Sequence, residues 1–474
     1  MYINGNFVES ETHEYIDVEN PATEEILGRV PNGNEYDVEE AVKAASRAQR
    51  EWGKRPAIER GKYLLFIADR LEERKEEFAQ LLTKEQGKTL PLARGEMDIT
   101  IEYFRYMAGW ARRYEGDVIN SDRQNENIIL LKKPIGVVAG VVPWNFPMFV
   151  LARKVAPALI TGCSIIIKPS QQTPLTAVKF SEVIHESELP PGIFQLVTGT
   201  GSSVGTPLAS HKKVSMISLT GSTPAGSKVM EAAARNVTKV NLELGGKAPA
   251  IVSKYADLDL AAEKIIESRI INSGQVCTNA ERVYVQEEVA DEFIDKIVTK
   301  AKEIRYGNPL VKEDIEMGPL VSKNQLDSVS EAVEKAKAAG AKVLAGGQRA
   351  DTEKGYFFEP TILTNVGQEM DIMQEEIFGP VLPITTYHSF SEAIVMANDS
   401  EYGLSSSIFT ENYHEVMQGV NELEFGEVFV NRENFEALQG FHAGWRKSGI
   451  GGADGKRGLE EFLITTVAYM EYER

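Results

Sequence analysis

The sequence predicts an α/β fold of two doubly wound domains. Apolar runs of strand length alternate with amphipathic stretches of about a dozen residues, which indicates parallel sheets with crossover helices. The 474-residue length suits two or three domains. The composition, 42% hydrophobic and 26% charged, is that of a globular chain that buries a core without disulfides or structural metal.

The elements follow from the pattern in order. Residues 37–52 and 56–86 carry helical periodicity, the second opened by a proline at its first turn. Strand-like 136–142 runs into an irregular loop, and 164–168 is a second apolar strand. Thr173-Pro174 starts a helix, 193–197 and 215–220 are strands, Thr223-Pro224 opens another helix, and 239–244 returns as strand. In the second half 258–273, 290–305 and 322–339 read as helices, and 281–286, 342–344, 381–386, 403–409 and 426–431 as strands. The boundary between the two units falls near Gly245-Gly246. The β-rich end, 462–472, either edges its own domain or pairs with another chain.

Seventy Asp+Glu against 51 Lys+Arg give a formal charge of -19, which disfavours nucleic acid and anionic membrane as partners. Two cysteines, Cys163 and Cys277, are too few for a secreted disulfide framework and fit a reducing cytoplasm. The N-terminus shows no signal-peptide pattern. Residues 134–152 lack a charge over nearly a spanning length, but Pro143, Asn145 and Pro147 interrupt them. A buried strand entering a tight loop is the better reading.

Cys277 stands where a helical pattern gives way to glycine and polar residues, a place for a thiolate nucleophile with a nearby amide to stabilise an oxyanion. The plain alternative is a packed cysteine, as Cys163 is expected to be before Ile165-Ile166-Ile167. Strand alternation puts Asn241 and Glu243 on the face opposite Val240, Leu242 and Leu244. Burial there would raise the Glu243 pKa toward that of a useful base, unless the carboxylate faces solvent or pairs with a lysine. The 199–204 segment fails the dinucleotide fingerprint at its sixth position, and 221–228 is a P-loop with its lysine out of register, which argues against ATP chemistry. Both still put small residues and free amides at strand-to-helix turns, where phosphate binds well. Lys168, ending an apolar strand, could reach a ribose or phosphate. No spacing suggests a metal.

Together, Pro143-Trp144-Asn145-Phe146-Pro147, Lys168-Pro169-Ser170, Thr220-Gly221-Ser222, Glu243-Leu244-Gly245-Gly246-Lys247, Gly274-Gln275-Val276-Cys277 and Glu375-Glu376-Ile377-Phe378-Gly379-Pro380 resemble the aldehyde dehydrogenase superfamily over essentially the whole chain. The stretch 431–447 is similar to its bacterial lactaldehyde/glycolaldehyde group. The resemblance implies a Rossmann-like NAD(P)-binding domain (1–117 and 138–244), an α/β catalytic domain (245–445) and small β bridging elements (118–137 and 455–474) that join subunits into a homo-oligomer, a dimer or tetramer.

It also implies roles. Cys277 attacks the aldehyde carbonyl. The Asn145 amide and the Cys277 backbone N–H hold the oxyanion, hydride leaves for the nicotinamide, and Glu243 activates the water that hydrolyses the thioester. Lys168, with Pro169, Ser170 and Gln171, faces the adenine ribose. Gly201, Gly205, Thr220, Gly221 and Ser222 lie near the pyrophosphate. Val142, Pro143, Trp144, Leu244, Gly245, Glu376 and Phe378 complete the cofactor site. Arg153, Thr278, Glu436 and His442 form a polar substrate pocket suited to a small hydroxylated aldehyde.

Two positions depart from the group. Thr278 replaces an asparagine that contacts substrate, and Gln171 replaces the glutamate that binds both ribose hydroxyls in NAD-preferring members. A neutral amide removes the repulsion of a 2′-phosphate, so NAD use with tolerance of NADP is expected. The alternatives are a succinate-semialdehyde or broad-specificity enzyme, a CoA-acylating semialdehyde dehydrogenase, and a non-catalytic family member. The presence of Glu243, Asn145 and Cys277 argues against the last two.

Overall fold

A computed structural model describes residues 1–312 and 314–472. Glu473 and Arg474, the end of the expected bridging segment, lie outside the described residues, as does Glu313. The fold is α/β, with three main sheets.

An eight-stranded sheet holds five parallel strands in the spatial order Lys239–Glu243, Met216–Thr220, Val137–Val141, Ser164–Lys168 and Phe194–Leu196. Chain order reverses between the second and third of these. The pattern of Ser164–Lys168 shows why the sheet is central: every residue is buried, with Ile165 and Ile167 in one core cluster and Ile166 in the cluster across the sheet. A strand covered on both faces reads as a continuous apolar run. Cys163 packs beside it in the core.

A seven-stranded sheet runs Lys342–Ala345, Thr361–Thr364, Val381–Tyr387, Ala280–Gln286, Ala248–Val252, Ser405–Phe409 and Glu427–Val430. All its neighbours are parallel except the first pair. Tyr284 faces one core cluster and its neighbours Val283 and Val285 the other. The third sheet is antiparallel. In it Leu463–Glu471 pairs along its full length with Glu126–Pro134, which also pairs with Asp117–Asn120. The C-terminal strand therefore finds a partner within its own chain.

Several elements differ from expectation. Residues 56–86 form two helices, Ala57–Glu73 and Lys75–Gln86, separated at Arg74 (φ -104°, ψ 12°). No glycine or proline marks this break; the Arg74 guanidinium is drawn to Glu77 and Glu182 instead. The helix expected over 258–273 ends at Ile270, because Asn272 and Ser273 are left-handed. The helix Leu90–Ala108 and the strands Ala248–Val252 and Thr361–Thr364 were not anticipated. Gly449–Ile450 returns to the first sheet, antiparallel to Lys239–Glu243. Residues 134–152 form a strand, a loop and the start of the wholly buried helix Pro147–Thr161. Among the described residues no helix is long and apolar enough to cross a membrane.

Candidate active site

The register of the first sheet sets the floor of the site. Thr220 lies opposite Glu243, Leu219 opposite Val141, and Val141 opposite Lys168, so the strands end along one edge. The loop after Val141 leaves at the point where chain order reverses, the crevice where open α/β sheets bind ligands. There a cavity of about 360 Å³ opens toward the second sheet. It gathers Cys277, Asn145 and Glu243 with Arg153, Thr278, Glu436 and His442. Pro143, Trp144, Thr220, Gly221, Ser222, Leu244, Gly245, Glu376 and Phe378 line it as well.

Cys277 is half-buried in a turn that no helix or strand pattern describes. Three successive left-handed residues, Asn272, Ser273 and Gly274, carry the chain out of its helix to reach it. Side chains hold this unusual path: Ser273 Oγ donates to Gly318 O at 2.8 Å, and Gln275 bridges Asn272 O (2.9 Å) and Val321 N (2.8 Å). A Cβ on Gly274 would strike the Gly379 carbonyl, and one on Gly246 would stand 2.6 Å from Cys277 O. Burial pushes the Cys277 thiol up, while hydrogen-bond contact with His442 pulls against it.

Asn145 is fixed by groups that the sequence did not single out. Its carbonyl accepts from Lys88 Nζ (2.7 Å) and Asn272 Nδ2 (3.1 Å), and its Nδ2 donates to Gln275 O at 3.0 Å. Lys88 pairs with Glu96, both side chains wholly buried. Glu96 Oε1 in turn accepts from Met148 N (2.8 Å) and Phe149 N (3.2 Å), serving as the cap of the Pro147–Thr161 helix. Lys88 lies in the loop between the helices Lys75–Gln86 and Leu90–Ala108 and Glu96 lies on the second of them, so no periodicity in the sequence marks them as a pair. Nothing local pointed to their partner loop.

Glu243 departs from the expected rise in pKa. Burial does push its carboxyl up, but Lys154, Arg153 and His442 together hold it below its ordinary value. Lys154 Nζ lies 3.8 Å from its Oε2, and Thr220 Oγ1 donates to the same oxygen at 2.5 Å. The lysine-paired alternative is the one observed, so the group is a carboxylate at neutral pH.

The opposite wall is polar. Arg153 Nη2 donates to Glu436 Oε1 at 2.7 Å, and His442 Nδ1 faces Glu427 Oε1 at 3.3 Å. Glu427 holds the buried His442 ring well above its usual pKa, against the effect of desolvation. Thr278 Oγ1 gives its hydrogen to Asn434 O (3.2 Å), leaving only acceptor capacity toward the cavity.

The remaining expected residues lie just beyond this cavity, at the adjoining strand ends. Val142 N donates to Lys168 O at 3.0 Å. Lys168 is buried, its Nζ bonded to Pro169 O at 2.9 Å, and desolvation brings its pKa down to about 8. Gly201 begins and Gly205 ends a single wide helical turn, and a Cβ on Gly205 would come 4.0 Å from Lys168 Cδ. Ser170 is half-buried and Gln171 exposed. Ser222 makes no side-chain cap on the Thr223–Ala234 helix, whose first amides stay open. On the far side burial and Glu281 push Glu376 up to about 8, and the Trp144 and Phe378 rings meet edge to face at 5.3 Å. A buried cation, open helix amides and paired aromatic rings fit a dinucleotide. Glu281, also overlooked in the sequence, supports that wall by accepting from Ile377 N and Phe378 N while pairing with Lys247 and Arg269.

The aldehyde dehydrogenase family profile matches residues 7–467. The chain is 52% identical to lactaldehyde dehydrogenase of Escherichia coli (strain K12), over 99% of this chain and 98% of that one. A crystal structure of lactaldehyde dehydrogenase from Escherichia coli superposes with a TM-score of 0.98, covering 100% of this chain and 99% of that one at 52% identity. A D-glyceraldehyde dehydrogenase (NADP(+)) of Picrophilus torridus is 38% identical over 100% of this chain and 96% of its own. Betaine aldehyde dehydrogenase from Staphylococcus aureus in complex with NAD+ has a TM-score of 0.97 at 38% identity, covering 99% of this chain and 94% of that one.

Proposed function

The chain belongs to the aldehyde dehydrogenase family, and on that premise we propose that it oxidises small hydroxyaldehydes such as lactaldehyde or glycolaldehyde to their carboxylates, with NAD as acceptor and NADP tolerated. The observation that carries the substrate class is the polar wall facing Cys277. Arg153 and His442 are buried and Glu436 is half-buried around one small cavity. A hydroxylated aldehyde gives them hydrogen-bond partners, whereas an alkyl chain takes their water and returns nothing.

In this reading Cys277, once its thiol proton has been lost to solvent, adds Sγ as the thiolate to the carbonyl carbon. The Asn145 amide and the Cys277 backbone N–H receive the oxyanion, with Lys88 and Asn272 holding the Asn145 backbone in place. NAD, when bound, supplies the hydride acceptor. Glu243, kept ionised by Lys154, takes a proton from the water that releases the acyl group from sulfur. Gln171, exposed after the Lys168 strand, leaves room for a 2′-phosphate without charge repulsion. The sheets support a division into a cofactor-binding part (1–117 and 138–244), a catalytic part (245–445) and bridging strands (118–137 and 455–474). A nucleophilic thiol suits the reducing cytoplasm.

Initial rates with lactaldehyde, glycolaldehyde, succinate semialdehyde and a medium-chain alkanal, each with NAD and with NADP and without CoA, test the reading. The two hydroxyaldehydes are expected to lead in kcat/KM by at least about tenfold. A lead by the alkanal or the semialdehyde overturns the substrate class, and an NAD preference above about a thousandfold overturns the role given to Gln171.

A further inference from the structure

Arg153 is met by more negative charge than its single positive charge balances. Its Nε donates to Asp454 Oδ1 at 3.1 Å, its Nη2 to Asp454 Oδ2 at 2.5 Å, and the same Nη2 to Glu436 Oε1 at 2.7 Å. Asp454 is wholly buried and comes from the glycine-dense loop 301 positions further along the chain. Its backbone sits at φ 71°, a left-handed conformation unusual for a residue with a side chain. The buried Tyr103 lies beside this carboxylate.

The other charges near it are already matched. Lys154 faces Glu243, and protonated His442 faces Glu427. That leaves one guanidinium between two carboxylates, so the wall facing the substrate is anionic overall. A bare arginine in a half-dry pocket attracts a carboxylate or sulfonate, since a charge pair at low effective dielectric is strong. Here both of the guanidinium edges used so far are occupied by protein carboxylates, and an anionic substrate would meet net repulsion.

We propose that Asp454 is a specificity-determining residue that acts through Arg153: with Glu436 it cancels the guanidinium charge, so that the pocket accepts neutral hydroxyaldehydes and rejects aldehydes carrying a carboxylate or sulfonate. The proposal rests on the hydroxyaldehyde reading above and explains how an arginine serves it. Asp454 does not itself line the cavity; its effect is on which substrate charge Arg153 will accept.

The test is kcat/KM for lactaldehyde and for succinate semialdehyde, with NAD at pH 8, on the wild-type chain, Asp454→Asn and Glu436→Gln. Asparagine keeps the size and an acceptor for Arg153 while removing the charge. In Asp454→Asn the ratio of succinate semialdehyde to lactaldehyde is expected to rise at least about tenfold (about 1.4 kcal/mol), through a lower KM for the anion and with KM for NAD unchanged. A purely structural role would lower both aldehydes together and leave the ratio alone. A folded Asp454→Asn with an unmoved ratio overturns the proposal. If that variant does not fold, Glu436→Gln carries the same expectation, and an unmoved ratio there overturns it equally. A wild-type chain that already prefers succinate semialdehyde instead brings down the hydroxyaldehyde reading, and this proposal with it. The two failures are therefore told apart by the wild-type rates.

Discussion

At Cys277 two influences oppose each other: burial disfavours the thiolate, and the His442 contact favours it, with burial the larger. A thiol whose pKa is raised is protonated at neutral pH, so its thiolate fraction grows as pH climbs. Glu243 is shifted the other way and stays ionised throughout that range. Alkylation of Cys277 by iodoacetamide should therefore accelerate by about tenfold per unit between pH 7 and 8 and continue upward to 9. A rate already level at pH 7 would show a thiolate stabilised at rest and reverse the balance described. The single-residue scale is also where the sequence leaves two readings of Glu243 open, a base raised by burial and a carboxylate paired with lysine. Alternation on the Lys239–Glu243 strand only sets Glu243 opposite the apolar face; the ions that decide between the readings by lowering its pKa arrive from the Pro147–Thr161 helix and from His442, far away in the chain.

At the scale of elements, the site depends on how the Pro147–Thr161 helix begins. Its first turn is capped by Glu96 from another helix, and Lys88 ties that carboxylate to the Asn145 carbonyl. Lys88→Met would strand a buried carboxylate. Such losses destabilise by about 3–5 kcal/mol, read as a lower denaturant midpoint, and the double change Lys88→Met/Glu96→Gln should recover part of the deficit. Equal midpoints for Lys88→Met and wild type would mean the pair carries no structural charge balance. Elements were legible where burial imposes a pattern, as in Ser164–Lys168 and Met216–Thr220. They were illegible where it does not. The short Ala248–Val252 strand, interrupted by Pro249, lacks alternation, and the break at Arg74 is made by distant glutamates. The catalytic loops were found by motif, whereas the Lys88, Glu96, Glu281 and Asp454 supports reach the site only through contacts with residues distant in the chain.

At the scale of the whole molecule, the three-stranded sheet ends on Leu463–Glu471, an edge strand whose second side has no partner among the described residues. It exposes Ile464, Val467, Tyr469 and Met470, and the opposite edge exposes Val118 and Ile119. An open, apolar edge of this length invites association. Light scattering behind size exclusion should give a dimer or tetramer, and Val467→Lys should shift it toward monomer; a wild-type monomer at micromolar concentration would leave the bridging role without basis. The crowding of Gly274 against Gly379 has its own consequence at this scale. The loop bearing the sulfur and the loop bearing Phe378 meet backbone to backbone, so a shift of either presses on the other. Occupancy on the two sides is then thermodynamically linked and reciprocal: whatever the dinucleotide contributes to fixing that contact, the aldehyde no longer has to contribute, and the reverse holds by the same factor.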